Sequence, residues 1–319
     1  MNRQWQMRVG PALISIATTL DLGAALDSVI RRGESVLYEL TEATAGSVLR
    51  AATITVTSQA SAAPSIDIDP GTGAVSIGAI AGAVTAEDLL YLSYLVLESR
   101  LHRHGLLTLH AAAVERAGRA IVLLGHPGAG KTITALMLCR DHAFRLIGND
   151  LIVTGGAERT AVVAGTTHLR LRLSSVVANM PELLFLFAPD DHGDQWRAKV
   201  DVRPEQLGIA VTDQVPDLGA VVFVRADPAY AALVSATGDT LVHRLNLYEN
   251  SLRYIRATST PWLVGPQREF GPYVPSFDSE TAHRARTATL NRLMAASHYV
   301  AGPAHQVAAY LAQCSPAPT

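Results

Sequence analysis

Residues Val122–Cys139 read VLLGHPGAGKTITALMLC: an apolar run, a glycine turn closed by lysine and threonine, and a second apolar run. Gly125 to Thr132 match the spacing G-x-x-x-x-G-K-[ST]. The apolar residues Ala120–Leu124 predict a strand, and the residues from Lys131 onward predict a helix. The turn therefore falls where a strand hands over to a helix N-terminus. Glycines there let main-chain N–H groups converge on an anion, and the helix end adds its partial positive charge. The lysine stands out because the chain hardly uses this residue. Of its 26 basic residues, 24 are arginines, and only Lys131 and Lys199 are lysines. A slim ammonium reaches a phosphate as a point charge in a way that a planar guanidinium does not.

The segment thus predicts a nucleoside triphosphate site. Gly125, His126, Pro127, Gly128, Ala129 and Gly130 would wrap the phosphates, and Lys131 would reach the β- and γ-phosphates. The Thr132 hydroxyl would bind magnesium. His126 fills a variable position of the motif. Lys199 has no such setting and reads as a solvated surface residue.

Working outward, TLHAAAVE and RAIVLLG predict strands joined by a turn at Ala117–Arg119. KTITALMLCRDH predicts a buried helix, and FRLIGND, LIVTGG and GAVVFVRAD predict further strands. Strands alternating with a helix, with the phosphate turn at their junction, indicate an α/β core. Upstream, TAEDLLYLSYLVLESRLHRHG predicts a connecting helix capped at Thr85, with Glu87 and Asp88 in its first turn and Gly105 at its end. Residues 1–85 hold short apolar segments such as SVLYEL and ATITVTS, broken by Gly, Ser and Pro, and predict a small β-rich or α+β region. Downstream, DTLVHRLNLYENSLRYIR and SETAHRARTATLNRLMAASHYV have helical periodicity and flank a Pro/Gly-rich loop, PWLVGPQREFGPYVPSFD. The expected divisions are 1–85, the connecting helix 86–105, and a main domain 106–319 with a helical C-terminal part.

The bulk composition excludes some classes. Hydrophobic residues make up 49% of the chain and charged residues 17%, an ordinary globular balance. The net charge of −2 gives no global attraction to nucleic acid or an anionic membrane. Two cysteines, Cys139 and Cys314, imply no disulfide framework, and with a phosphate motif the expected compartment is the cytoplasm. No apolar run reaches the roughly 20 residues that cross a bilayer; LLYLSYLVL stops at Glu98. PALISIATTL is followed by Asp21 without a clear cleavage site.

The block LHAAAVERAGRAIVLLGHPGAGKTITALMLCRDHAFRLIGND, about Leu109–Asp150, resembles the HPr kinase/phosphorylase family. That family has a histidine 21 residues before its P-loop lysine, the spacing of His110 from Lys131. Its following strand ends in two aspartates, where this chain has Asn149 and Asp150. The resemblance implies a P-loop kinase core of that type, a mixed sheet with flanking helices. It implies ATP and magnesium, a catalytic carboxylate at the strand end and a contact from His110 to the γ-phosphate or the acceptor. It would also imply a hexamer, to which no local feature of the sequence adds support. The chain departs from the family at Asn149, which replaces the acid taken as catalytic base, and the family's metal-binding glutamate has no counterpart. Either Asp150 takes the base role, or it binds magnesium and the acceptor loses its proton late.

Other residues have two readings each. Arg170 and Arg172 alternate in HLRLR, on one face of a strand, as a solvated face or as forks for an anionic substrate. Asn149 is either a turn residue or a substrate contact. Asp227 reads as a turn residue or as a second acid after an apolar strand, and Arg253 and Arg256 as a surface face or as substrate contacts; Cys139 reads as core. The expected function is an ATP- and magnesium-dependent kinase acting on a hydroxyl, with GTP left open as donor. The acceptor would be a small molecule, or a peptidyl serine as the resemblance would have it. A P-loop NTPase or regulator without an acceptor is the competing class.

Overall fold

The computed structural model describes residues 3–18, 39–42, 53–58, 65–69, 73–79, 86–188, 194–253, 255 and 278–315. The chain divides into two units, Met1–Leu107 with Ser251–Thr287, and Thr108–Asn250 with Ala288–Thr319.

In the first unit, strands β1 (Arg3–Val9), β2 (Ala12–Thr18), β3 (Glu39–Glu42), β4 (Ile54–Ser58), β5 (Ser65–Ile68) and β6 (Val75–Ala79) form a sheet in the order β3-β1-β2-β4-β6-β5. The pairs β1/β2 and β5/β6 are antiparallel, whereas β2/β4 and β4/β6 are parallel. Alternation sets the buried face: Trp5, Met7 and Val9 on β1, Ile14 and Ile16 on β2, Ile54 and Val56 on β4. Helix α1 (Ala86–Arg103) packs against β2 and buries Leu89, Leu92 and Val96. Gly105, at φ 67°, follows its end. The Thr85 cap, Arg256 and the loop PWLVGPQREFGPYVPSF lie outside the described residues.

The chain continues through β7 (Leu106–Leu109), β8 (Ala112–Arg116), β9 (Arg119–Leu124), α2 (Lys131–Asp141), β10 (Arg145–Gly148), β11 (Ile152–Gly155) and β12 (Ala161–Gly165). Next come β13 (Leu169–Arg172), α3 (Leu173–Asn179), β14 (Lys199–Val202), β15 (Asp217–Ala226), β16 (Val234–Thr237) and α4 (Leu241–Leu252). Helix α5 (Glu280–Ala295), β17 (Ser297–Gly302) and α6 (Ala304–Gln313) complete the order. Nine strands form one mixed sheet, β10-β8-β9-β15-β12-β11-β7, with β17 beside β15 and β16 beside β17. Strands β13 and β14 pair with each other as a separate ribbon.

Two features of this sheet set up the site. The β8–β9 hairpin turns at Ala117 and Gly118, whose φ values of 53° and 73° allow a two-residue turn that matches strand twist. Strand β9 then runs parallel to β15, and β15 parallel to β17, so the loop after β9 emerges at a shared C-terminal edge. Helix α2 returns over the sheet with Ile133, Ala135, Leu136 and Leu138 buried, and packs against α6. These side chains join Val222 and Val224 of β15 and Val300 of β17 in one apolar core. The molecule is therefore a mixed α/β protein with mixed sheets and helices.

One element differs from expectation. The helix expected through Val300 ends at Ala295, and Ser297–Gly302 forms strand β17. Parallel pairing along β15 from Val221 to Ala226 decides this, since it buries Val300 and Ala301 in the sheet. Among the described residues no helix is long and apolar enough to cross a membrane.

Candidate phosphate-binding cleft

The glycine loop sits between β9 and α2, and its shape follows from close packing on the end of β15. Gly125 has φ 150°, and a Cβ there would stand 2.7 Å from the Val224 carbonyl oxygen. Gly130 has φ 85°, and its Cβ would stand 2.5 Å from that of Ala226. No larger residue fits either position without moving backbone. The Ala226 N–H donates to the Ala129 carbonyl at 2.9 Å, tying the loop to β15. Lys131 is buried to 8% exposure, and its ammonium donates to the carbonyls of Gly125 at 2.8 Å and His126 at 3.3 Å. The lysine head is thus held over the loop it belongs to.

One cleft of about 160 Å³ is lined by the loop residues Pro127–Thr132 together with His110, Asp150, Arg170, Arg172 and Lys199. Gly125, His126 and Asn149 are not among its lining residues. Asn149 lies just behind, 1% exposed, and its Oδ1 accepts the Thr132 hydroxyl at 2.8 Å. Its Nδ2 donates to the His168 carbonyl at 3.5 Å. Asn149 is therefore tied to the threonine in the first turn of α2.

Asp150 follows at φ 70°, and the Leu151 N–H donates back to the Asn149 carbonyl at 3.0 Å. This is a γ-turn of the positive-φ kind, rare and strained for a residue with a side chain. The Asp150 carbonyl faces the Nδ1 of His110 at 3.0 Å. A carbonyl oxygen only accepts, so Nδ1 carries a proton, and Nε2 is the ring nitrogen left to exchange one. The His110 backbone is clamped by Asn250, whose Oδ1 takes its N–H at 2.7 Å and whose Nδ2 donates to its carbonyl at 3.2 Å.

The opposite wall is the β13–β14 ribbon. Arg172 lies over the Trp196 ring at 4.1 Å and donates to the Trp196 carbonyl. Arg170 and His168 both approach Asp201, at 3.5 Å and 3.1 Å. Lys199, expected as a solvated surface residue, is exposed and lines the same cleft, so both lysines of the chain stand in it.

Asn250, His168 with Asp201, and Trp196 were not anticipated from sequence. None carries a local motif, and each reaches the site only through tertiary pairing. Asp227 lies outside the cleft lining, and its Oδ1 accepts the Ala229 N–H at 3.0 Å, as a turn residue does. Arg253 is exposed. Cys139 packs against the apolar core, where burial raises its thiol to about 12.

The donors around Thr132 suit magnesium. The Thr132 hydroxyl, the Asn149 amide oxygen and the neighbouring Asp150 carboxylate are hard oxygen ligands, and a P-loop magnesium takes most of its remaining ligands from phosphate and water. Among the described residues no group of three or more His, Cys, Asp or Glu forms an all-protein metal cage. No protein-family model matches the chain, and no curated protein is significantly similar to it.

Proposed function

We propose that the protein is a magnesium- and ATP-dependent kinase that transfers the γ-phosphoryl group to a hydroxyl of a small molecule in the cytoplasm. Its core would be of the HPr kinase/phosphorylase type. The observation that carries this reading is that the glycine loop shares one cleft with Asp150, His110 and cationic side chains on the opposite wall. The loop amides and the N-terminus of α2 would hold the triphosphate, and Lys131 would swing from the Gly125 and His126 carbonyls to the β- and γ-phosphates. Magnesium would be held by Thr132 and Asp150 and would neutralise charge between the β- and γ-oxygens.

In the transfer, the acceptor oxygen forms a bond to the γ-phosphorus and the bond to the β–γ bridging oxygen breaks, releasing ADP. With Asp150 on magnesium, the acceptor proton would leave late and go to Nε2 of His110; with Asp150 off the ion, its carboxylate would take it. Because such transition states are loose, positioning and charge stabilisation dominate, and a modest base is sufficient.

A second reading rests on Asn149. A buried amide stands where the resembling family has an acid, which favours an NTPase or nucleotide-binding regulator. Incubation with γ-labelled ATP, magnesium and a metabolite pool separates the readings. Label transferred to a metabolite supports the kinase, and label on a protein serine supports the peptide acceptor. Label released only as phosphate, at a rate indifferent to additions, supports the NTPase.

A further inference from the structure

We infer that the β13–β14 ribbon is a second anion subsite facing the phosphate loop, and that the acceptor is a small alcohol bearing its own carboxylate or phosphate. This rests on the kinase reading of the same cleft.

The ribbon's register carries the first part. Arg172 pairs with Lys199 and Arg170 with Asp201. Directly opposed residues share a face of an antiparallel pair, and residues two apart on one strand share it as well. Three cations and one carboxylate therefore project from one face, and Arg170, Arg172 and Lys199 all line the cleft. Asp201 offsets only Arg170, with which it pairs along with His168, and leaves the charges of Arg172 and Lys199 unmatched among the described residues.

The pairing of Arg172 with Lys199 is unfavourable in isolation. Like charges opposed across two strands repel, and among the described residues no third strand pairs with this ribbon. An anion seated between them reverses the sign of that interaction. Lys199 is equipped for this role: among the described residues its ammonium makes no ion pair or hydrogen bond, and it is one of two lysines in a chain that otherwise uses arginine. Arg172 is pre-positioned by its stack on Trp196, which limits the entropy lost when it binds a ligand.

These cations exceed what the donor requires. A triphosphate with its magnesium already has the loop amides, the helix N-terminus and Lys131. A neutral alcohol would leave the ribbon unmatched. An anionic alcohol would place its charged group on the ribbon and its hydroxyl toward the loop, which fixes orientation before transfer.

The test uses the full chain and two calorimetric titrations. The first measures the magnesium complex of AMPPNP, a non-transferring ATP analogue. The second titrates inorganic phosphate or malonate into protein saturated with that complex. The expected result is saturable binding of at least one probe, with a Kd on the order of 1 mM or tighter. Lys199→Ala and Arg170→Ala, both at exposed positions, should weaken that binding at least tenfold and change AMPPNP affinity by less than twofold. Preference for phosphate indicates a phosphorylated alcohol, and preference for malonate a hydroxy acid. The inference is overturned if neither probe binds the loaded protein, or if the variants weaken AMPPNP as much as the probe. Absence of AMPPNP binding in the first titration overturns the kinase reading and, with it, this one.

Discussion

Gly130 is the residue on which the loop depends most, since a methyl group there meets Ala226 at 2.5 Å and the backbone sits at φ 85°. Gly130→Ala should cost at least about 2 kcal/mol, combining left-handed strain with overlap. Thermal unfolding checks the stability, and nucleotide titration should show binding lost as well. Asp150 and His110 can be separated by Asp150→Asn, which keeps the carbonyl that accepts from Nδ1 of His110. Transfer should fall at least about 100-fold, with affinity for magnesium–AMPPNP retained if the carboxylate takes the proton and weakened along with the rate if it holds magnesium. Little change in rate or affinity would assign the proton to His110 and remove Asp150 from both roles. Cys139 gives a pH prediction. Its thiol ionises near 9.0 when unperturbed and near 12 when buried. As pH rises from 9 toward 12, the unfolded chain loses this proton first, so stability falls by up to about 1.4 kcal/mol per pH unit. Cys139→Ala should flatten that slope in denaturation curves measured across the range. The glycine loop and its place between a strand and a helix were legible in sequence because the spacing encodes backbone geometry. Lys199, Asn250 and Asp201 were not, because each depends on a partner far along the chain.

Among elements, α2 and the β13–β14 ribbon have opposite characters. Helix α2 is a core helix, and Leu136 within it is fully buried. Leu136→Ala should cost about 2–5 kcal/mol, measured by urea denaturation, because the packed surroundings cannot collapse onto the gap. The ribbon is exposed and held partly by the Arg172–Trp196 stack. Trp196→Ala should leave global stability within about 1 kcal/mol of the parent yet weaken the probe binding assigned to the ribbon. Strand and helix types near the loop followed from apolar runs bounded by glycine. Strand β17 escaped that reading because SHYVAG continues the apolar periodicity of the preceding helix. Its strand state comes from pairing with β15, which no local pattern announces.

At the level of the whole chain, residues 251–287 group with the N-terminal unit rather than with the unit that holds the cleft. Arg286 is fully buried there and pairs with both oxygens of Asp278, at 3.0 Å and 2.9 Å. Its Nη1 also lies 3.4 Å from Nδ1 of His102, whose Nε2 meets Glu98 at 2.8 Å. Since a guanidinium only donates, Nδ1 accepts and Nε2–H donates to Glu98. Arg286→Ala should destabilise this unit by about 3–5 kcal/mol, because the remaining polar groups lose their partner. Every cleft residue lies in Thr108–Asn250, so nucleotide affinity of the folded variant should be retained. The central claim is tested most directly by calorimetric titration of the intact chain and its Lys131→Ala variant with ribonucleoside triphosphates in the presence of magnesium. The account predicts saturable heat for the parent, with affinity at least tenfold weaker in the variant, as expected for loss of one charge-assisted contact. Absence of heat for every triphosphate, or equal affinity in the variant, would contradict it.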